Sequence, residues 1–133
     1  MRAVLVNGLL AVLAATVVTT AVAAAARGLG VDLEIPGSGT IPLSGIAAVT
    51  AFFSIVGVVI AAAFARWSTR PAERFLWTTC SLTAVSLVPP LIAGADAGTT
   101  IALVVLHLVA AALMIPVVAR SLRAQQLHAV VGG

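Results

Sequence analysis

The chain has 133 residues, of which 62% are hydrophobic and 8% charged, and a formal net charge of +3; its mean hydropathy is +1.21. A soluble domain carries roughly 45–50% apolar and about 25% charged residues, so these side chains cannot cover a water-soluble globule, and a disordered chain or a typical nucleic-acid binder is excluded with it. The pI near 11.2 comes from seven arginines, no lysine and four acids, so the placement of the charges says more than their sum.

A hydrocarbon core about 30 Å thick takes about 20 apolar residues per helix. Four stretches meet that length, at 4–26, 43–65, 75–93 and 99–119. Membrane strands are about half as long and alternate polar with apolar positions, whereas these runs are apolar on all sides. They predict an all-α membrane protein: one membrane domain, an antiparallel bundle of four transmembrane helices. An outer loop lies at 27–42, an inner loop at 66–74 and a tail at 120–133. No stretch remains for a soluble catalytic module.

The first stretch imitates a secretory signal, with Arg2, an apolar run and the small-residue triplet Ala21-Val22-Ala23. The run exceeds the usual length of about 7–15 residues and is read as a retained helix. Ala11 with Ala15, and Ala21 with Ala25, form two small-residue strips on it. The loop that follows contains Val31-Asp32-Leu33-Glu34-Ile35, whose period of two predicts a short strand. Pro36-Gly37-Ser38-Gly39 is a turn signal, and Thr40-Ile41 can return as a second strand. Helix 2 carries Gly57, Ala61 and Ala65 at four-residue spacing, a ladder for close backbone approach. Helix 3 contains the lone Cys80, read as a small packing residue. It also contains Pro89-Pro90, which either end the helix or leave the carbonyls of Val85 and Ser86 free toward protein or a wet cavity. The tail is expected to extend helix 4 for a few turns before Gly132-Gly133.

Arg2, Arg66, Arg70, Arg74, Arg120 and Arg123 fall on one side of this topology and Arg27 alone on the other. The rule that basic residues stay inside then predicts a bacterial plasma-membrane protein with both termini cytoplasmic. Trp67, Phe75 and Trp77 flank the inner loop as interfacial aromatics do.

No Asp, Glu, Lys or Arg stands mid-helix, which weakens ion-coupled transport. The small multidrug transporters share the helix number and length, but rely on a carboxylate in the first helix, where this chain has Asn7 and threonines. His107, about 12 Å into helix 4 at 1.5 Å per residue, is the one ionisable group at depth. An imidazole there either glues helices by hydrogen bonding or serves a ligand or a proton transfer. In helix 2, Thr50, Ser54 and Gly57 share a face; in helix 3, Thr79, Thr83, Ser86 and Pro90 do. Counting from the outer ends puts Thr50, Ser86 and His107 at similar depth, so a hydroxyl-rich belt with one imidazole is expected in the outer half. Each hydroxyl can instead bond its own helix. Asp32, Glu34 and Asp96 fall on the outer side, as ordinary loop charges or as a rim. A carboxylate beside His107 would make an acid–base pair. The sequence contains no zinc spacing, haem motif, phosphate loop or serine-nucleophile motif, so no metal or cofactor is expected.

Ile41-Pro42-Leu43-Ser44-Gly45, Leu82-Thr83-Ala84-Val85-Ser86-Leu87-Val88-Pro89-Pro90 and Leu106-His107-Leu108-Val109-Ala110-Ala111 resemble a family of small four-helix membrane proteins of unassigned function from actinobacteria. The resemblance spans helices 2 to 4 and implies the topology, without an activity.

The residues lead to an outward-facing intramembrane pocket for a membrane lipid or other lipophilic small molecule. His107 would be its polar centre, Thr50, Ser54, Thr83, Ser86, Pro90 and Asp32 would contact the ligand, and Glu34 or Asp96 would be acid–base partners for isomerase- or cyclase-type chemistry. The alternative is an accessory or assembly subunit whose polar residues only fix helix packing. A homo-oligomer or a larger membrane complex stays open; no nucleic-acid partner is expected.

Overall fold

Helices form wherever the apolar runs leave backbone groups no partner but their own chain, since hydrocarbon offers none. The computed structural model describes residues 1–132, and in them the order is α1 (Arg2–Gly28), β1 (Glu34–Ile35), β2 (Gly39–Thr40), α2 (Leu43–Trp67), α3 (Pro71–Ser86), α4 (Val88–Ile92) and α5 (Ala97–Gly132). Four spans are long and apolar enough to cross a membrane, α3 and α4 together making the third. The protein is therefore a membrane protein with a four-helix bundle. One end carries the β1–β2 hairpin and the other carries six of the seven arginines.

Several boundaries differ from the sequence reading. The third span begins at Pro71 rather than 75, because Pro71 takes the first helical turn, where its missing N–H is no loss, and Glu73 adds an anion beside the helix N-terminus. Pro89-Pro90 interrupt the span without ending it. α3 stops at Ser86, Leu87 stays in the right-handed helical region, and α4 restarts with proline in its first turn. The tail is one continuous helix with α5, which contains Pro116 and reaches Gly132; Gly133 lies outside the described residues. At 36 residues and 1.5 Å per residue, α5 is about 54 Å long, well beyond the hydrocarbon thickness.

The loop hairpin is shorter than the strand expected from residue 31. Only Glu34 pairs with Thr40 and Ile35 with Gly39, antiparallel. Leu33 has φ 53°, which breaks the period of two and turns its side chain into the bundle, where it is fully buried.

Val4, Gly8, Ala11, Val12, Ala15, Thr19 and Ala23 form the buried stripe of α1, and that stripe packs along α2 and α5. The Ala11–Ala15 strip belongs to it; Ala21 and Ala25 are exposed instead. Gly8 sets the closest approach, since a Cβ there would meet Val58 Cγ2 at 2.9 Å. The core lies in two places. Val4, Val12, Val58, Phe75, Met114, Val118 and Leu122 pack toward the arginine end, and Ala23, Leu33, Ile46 and Leu106 toward the hairpin end. Asn7 Nδ2 donates to Ser121 Oγ at 2.9 Å, one polar tie between α1 and α5.

A laterally open cavity at His107

Between the two core clusters, α2, α3 and α5 leave a cavity of about 390 Å³. Its lining runs from Gly45 to Ile60 on α2, from Phe75 to Ser86 on α3 and from Leu103 to Ile115 on α5. At 1.5 Å per residue these spans are about 22, 16 and 18 Å, so the space is a slot along the bundle axis. It reaches past the expected hydroxyl belt to Ile60, Phe75 and Ile115 nearer the arginine end.

Thr50, Ser54, Thr83, Ser86 and His107 all line this slot. They meet because each occupies the inward stripe of its own helix at matching distance from the hairpin end. Most of the hydroxyl hydrogens are spent locally. Thr79 donates to the Phe75 carbonyl at 2.6 Å, Thr83 to Thr79 at 2.7 Å and Ser86 to Thr83 at 2.7 Å. Thr50 accepts from Thr19 at 3.3 Å. The α3 hydroxyls engaged in this way turn only oxygen lone pairs toward the cavity, whereas the Thr50 and Ser54 hydroxyls on α2 have no acceptor among the described residues and keep a hydrogen to give.

His107 Nδ1 stands 2.8 Å from the carbonyl oxygen of Leu103, one turn back on α5. A carbonyl can only accept, so in the neutral ring the proton sits on Nδ1 and the lone pair on Nε2. The imidazole is thus oriented by its own helix rather than by a neighbour. The ring lines the cavity, and its Nε2 is an acceptor that has no protein partner among the described residues.

The carboxylates are not brought to it. Asp96 caps α5, its Oδ1 accepting the backbone N–H of Thr99 at 2.7 Å, the usual way to satisfy a free N-terminal donor. It lies 11 positions before His107, about 16 Å along the axis. Asp32 accepts from the Thr99 hydroxyl at 2.8 Å and from the Glu34 N–H at 3.1 Å. Those two bonds, the Glu34 N–H first, hold its carboxyl below the ordinary range. Glu34 is exposed on the hairpin. None of the three lines the cavity, nor does Pro90, which is buried in α4. The expected imidazole–carboxylate pair is therefore not assembled: the acids serve the loop and the start of α5. Among the described residues no group of three His, Cys, Asp or Glu could hold a metal ion.

The loop closes the hairpin end. Ile41 lines that end of the slot, Leu33 fills the space between Ala23, Ile46 and Leu106, and the Arg27 guanidinium donates to the Ile41 carbonyl. The flank between α2 and α3 is different. Val49, Phe53 and Leu82 line the cavity yet are 56%, 65% and 51% exposed, so the slot opens sideways, where lipid tails would lie. Sequence reasoning passed over Phe53, although it stands three residues after Thr50 and so shares its face.

The model of a family of unknown function, DUF6069, matches residues 1–124. The chain belongs to that family. No curated protein and no solved structure matches it. The match covers the first three spans and the fourth as far as residue 124, so the cavity, His107 and the hairpin all lie within the DUF6069 region.

Proposed function

We propose that this DUF6069 protein binds a lipophilic or amphiphilic small molecule between α2, α3 and α5, with His107 as the polar centre. The observation that carries this reading is the cavity itself: an apolar slot open to the side, holding one imidazole acceptor that no protein group among the described residues uses. Pockets of about 300–1,000 Å³ with a few placed polar groups are the usual form of a small-molecule site. The accessory-subunit reading expects a filled interior with His107 bonded across helices. Its bond to Leu103 within α5 and the open slot beside it favour ligand binding.

Acid–base chemistry at His107 would need a second group, and Asp32, Glu34 and Asp96 are placed elsewhere. Binding is therefore the function we carry forward.

Native mass spectrometry of the detergent-purified protein tests it. A co-purifying lipophile is expected on the wild type. It should be lost from Gly57→Leu, whose side chain would grow into the slot, since a Cβ at Gly57 meets nothing nearer than Met114 Cε at 4.0 Å. A protein that carries no adduct and takes up none from added lipid would overturn the reading.

We further place the protein in a bacterial plasma membrane with the arginine end cytoplasmic, a reading supported by six arginines at one end against Arg27 at the other. In a Cys80→Ser background, Ser38→Cys should react with an impermeant maleimide added to whole cells, and Ala124→Cys only after lysis. The reverse pattern would invert the orientation.

A further inference from the structure

From the chemistry of the slot we infer that its ligand is a neutral, single-chain lipophilic alcohol, which arrives from the bilayer between α2 and α3 and donates its hydroxyl hydrogen to Nε2 of His107. This inference rests on the binding function proposed above and narrows it to one class.

The donor requirement follows from the protons. With Nδ1–H given to the Leu103 carbonyl, Nε2 can only accept. Thr79, Thr83 and Ser86 have given their hydrogens to carbonyls of α3. The α3 and α5 side of the slot is thus a set of acceptors, which complements a ligand that brings a donor, while Thr50 and Ser54 on α2 keep hydrogens that the oxygen of the same hydroxyl can accept. An ether, ester or ketone brings none.

The neutrality requirement follows from charge. Among the described residues, no Arg, Lys, Asp or Glu lines the cavity. A carboxylate or ammonium ion would lose its hydration there without a counter-ion, and burying an unpaired charge is strongly unfavourable. A hydroxyl escapes that penalty, since a single hydrogen bond to Nε2 satisfies its donor.

The shape requirement follows from volume and access. A water-sized group takes about 30 Å³, so about 390 Å³ holds on the order of a dozen methylene-sized groups. Spread along a slot about 16–22 Å long, that volume suits one extended chain. The hairpin end is closed by Leu33 and Ile41, whereas Val49, Phe53 and Leu82 leave the flank open. A molecule dissolved among lipid tails can therefore slide in sideways, with Phe53 at the opening.

The test uses the full chain in nanodiscs, photolabelled with a diazirine-bearing sixteen-carbon alcohol and competed with tetradecan-1-ol, its methyl ether or tetradecanoic acid. Labelling should map to the α2–α3 flank, and the alcohol should compete about tenfold better than the ether, the advantage of one hydrogen bond made out of water. His107→Phe, which removes the acceptor, should erase that difference, and His107→Gln, which keeps an acceptor oxygen, should retain part of it. If alcohol and ether compete equally on the wild type, the slot binds lipophiles and the alcohol assignment fails. If the acid competes best, the neutral class is wrong. If no competitor displaces the label, or labelling falls outside the slot, the binding function itself fails. Should His107→Phe not fold, the alcohol–ether comparison on the wild type still decides.

Discussion

Leu33 shows how one residue serves two masters. Its backbone is left-handed, at φ 53°, a region that disfavours a leucine by about 1–2 kcal/mol, while its side chain is wholly buried against Ala23, Ile46 and Leu106. Burial of a leucine is worth about 1.5–3 kcal/mol, so the contact outweighs the strain. The two terms can be separated by substitution. Leu33→Ala loses the burial and keeps the strain; Leu33→Gly loses both. Thermal unfolding in detergent should therefore rank Leu33→Gly above Leu33→Ala by about 1 kcal/mol, the reverse of the order for a residue in ordinary extended backbone. Nothing in Val31-Asp32-Leu33-Glu34-Ile35 announces the positive φ, because the pattern is that of a good strand. His107 was legible as a lone ionisable group at depth, yet its tautomer depends on the Leu103 carbonyl. Asp96 looked like a rim acid, although its position just before a helix and three residues ahead of Thr99 is also the signature of a cap.

At the scale of elements, α1 and α2 are held by close approach rather than by large side chains. Gly8 sits on Val58 so tightly that a methyl group cannot be added without movement of a stiff, β-branched neighbour. Gly8→Ala should destabilise the bundle by about 1–3 kcal/mol through overpacking. Combining it with Val58→Ala should recover at least about 1 kcal/mol relative to the sum of the single variants, since residues in contact couple. Strict additivity in unfolding measurements would mean the helices shift apart freely and the contact sets nothing. The existence of each span was legible from its length. The buried stripe was not: Ala21 and Ala25 have the same spacing as Ala11 and Ala15, yet only the second pair is covered. Pro116 also went unread, because a membrane span tolerates an internal proline and the surrounding apolar run of α5 does not change around it.

For the whole molecule, the consequence lies in how the hairpin loop is tied to the bundle. Asp32 joins the loop to Thr99 at the start of α5, and Arg27 joins the end of α1 to Ile41. The Asp32 carboxyl is held below its unfolded value by the Glu34 N–H and then by the Thr99 hydroxyl. A depressed carboxylate contributes stability above its unfolded pKa, and that contribution is lost as pH falls through the folded one. Wild type should thus unfold at a higher temperature than Asp32→Asn at pH 7, and the gap should shrink as pH drops below about 4. Equal gaps at pH 7 and pH 3 would show that the carboxylate charge plays no part in the tie. The same closure leaves the α2–α3 flank as the open side of the slot, a property of the assembled bundle that no single helix contains.

The four crossings and the gathering of arginines at one end can be read from residues one at a time. Hydrocarbon thickness sets a required length, and each charge is excluded from the membrane on its own account. The likeness of depth among Thr50, Ser86 and His107 needed only counting along helices. What that reading lacked was which way the helices turn, whether the space between α2, α3 and α5 is filled, and where the loop acids go. Those depend on contacts between distant segments. An apolar side chain gains little in moving from lipid to a neighbouring helix, so the stripes of an all-round apolar helix are nearly equivalent until backbones such as those at Gly8 and Val58 meet.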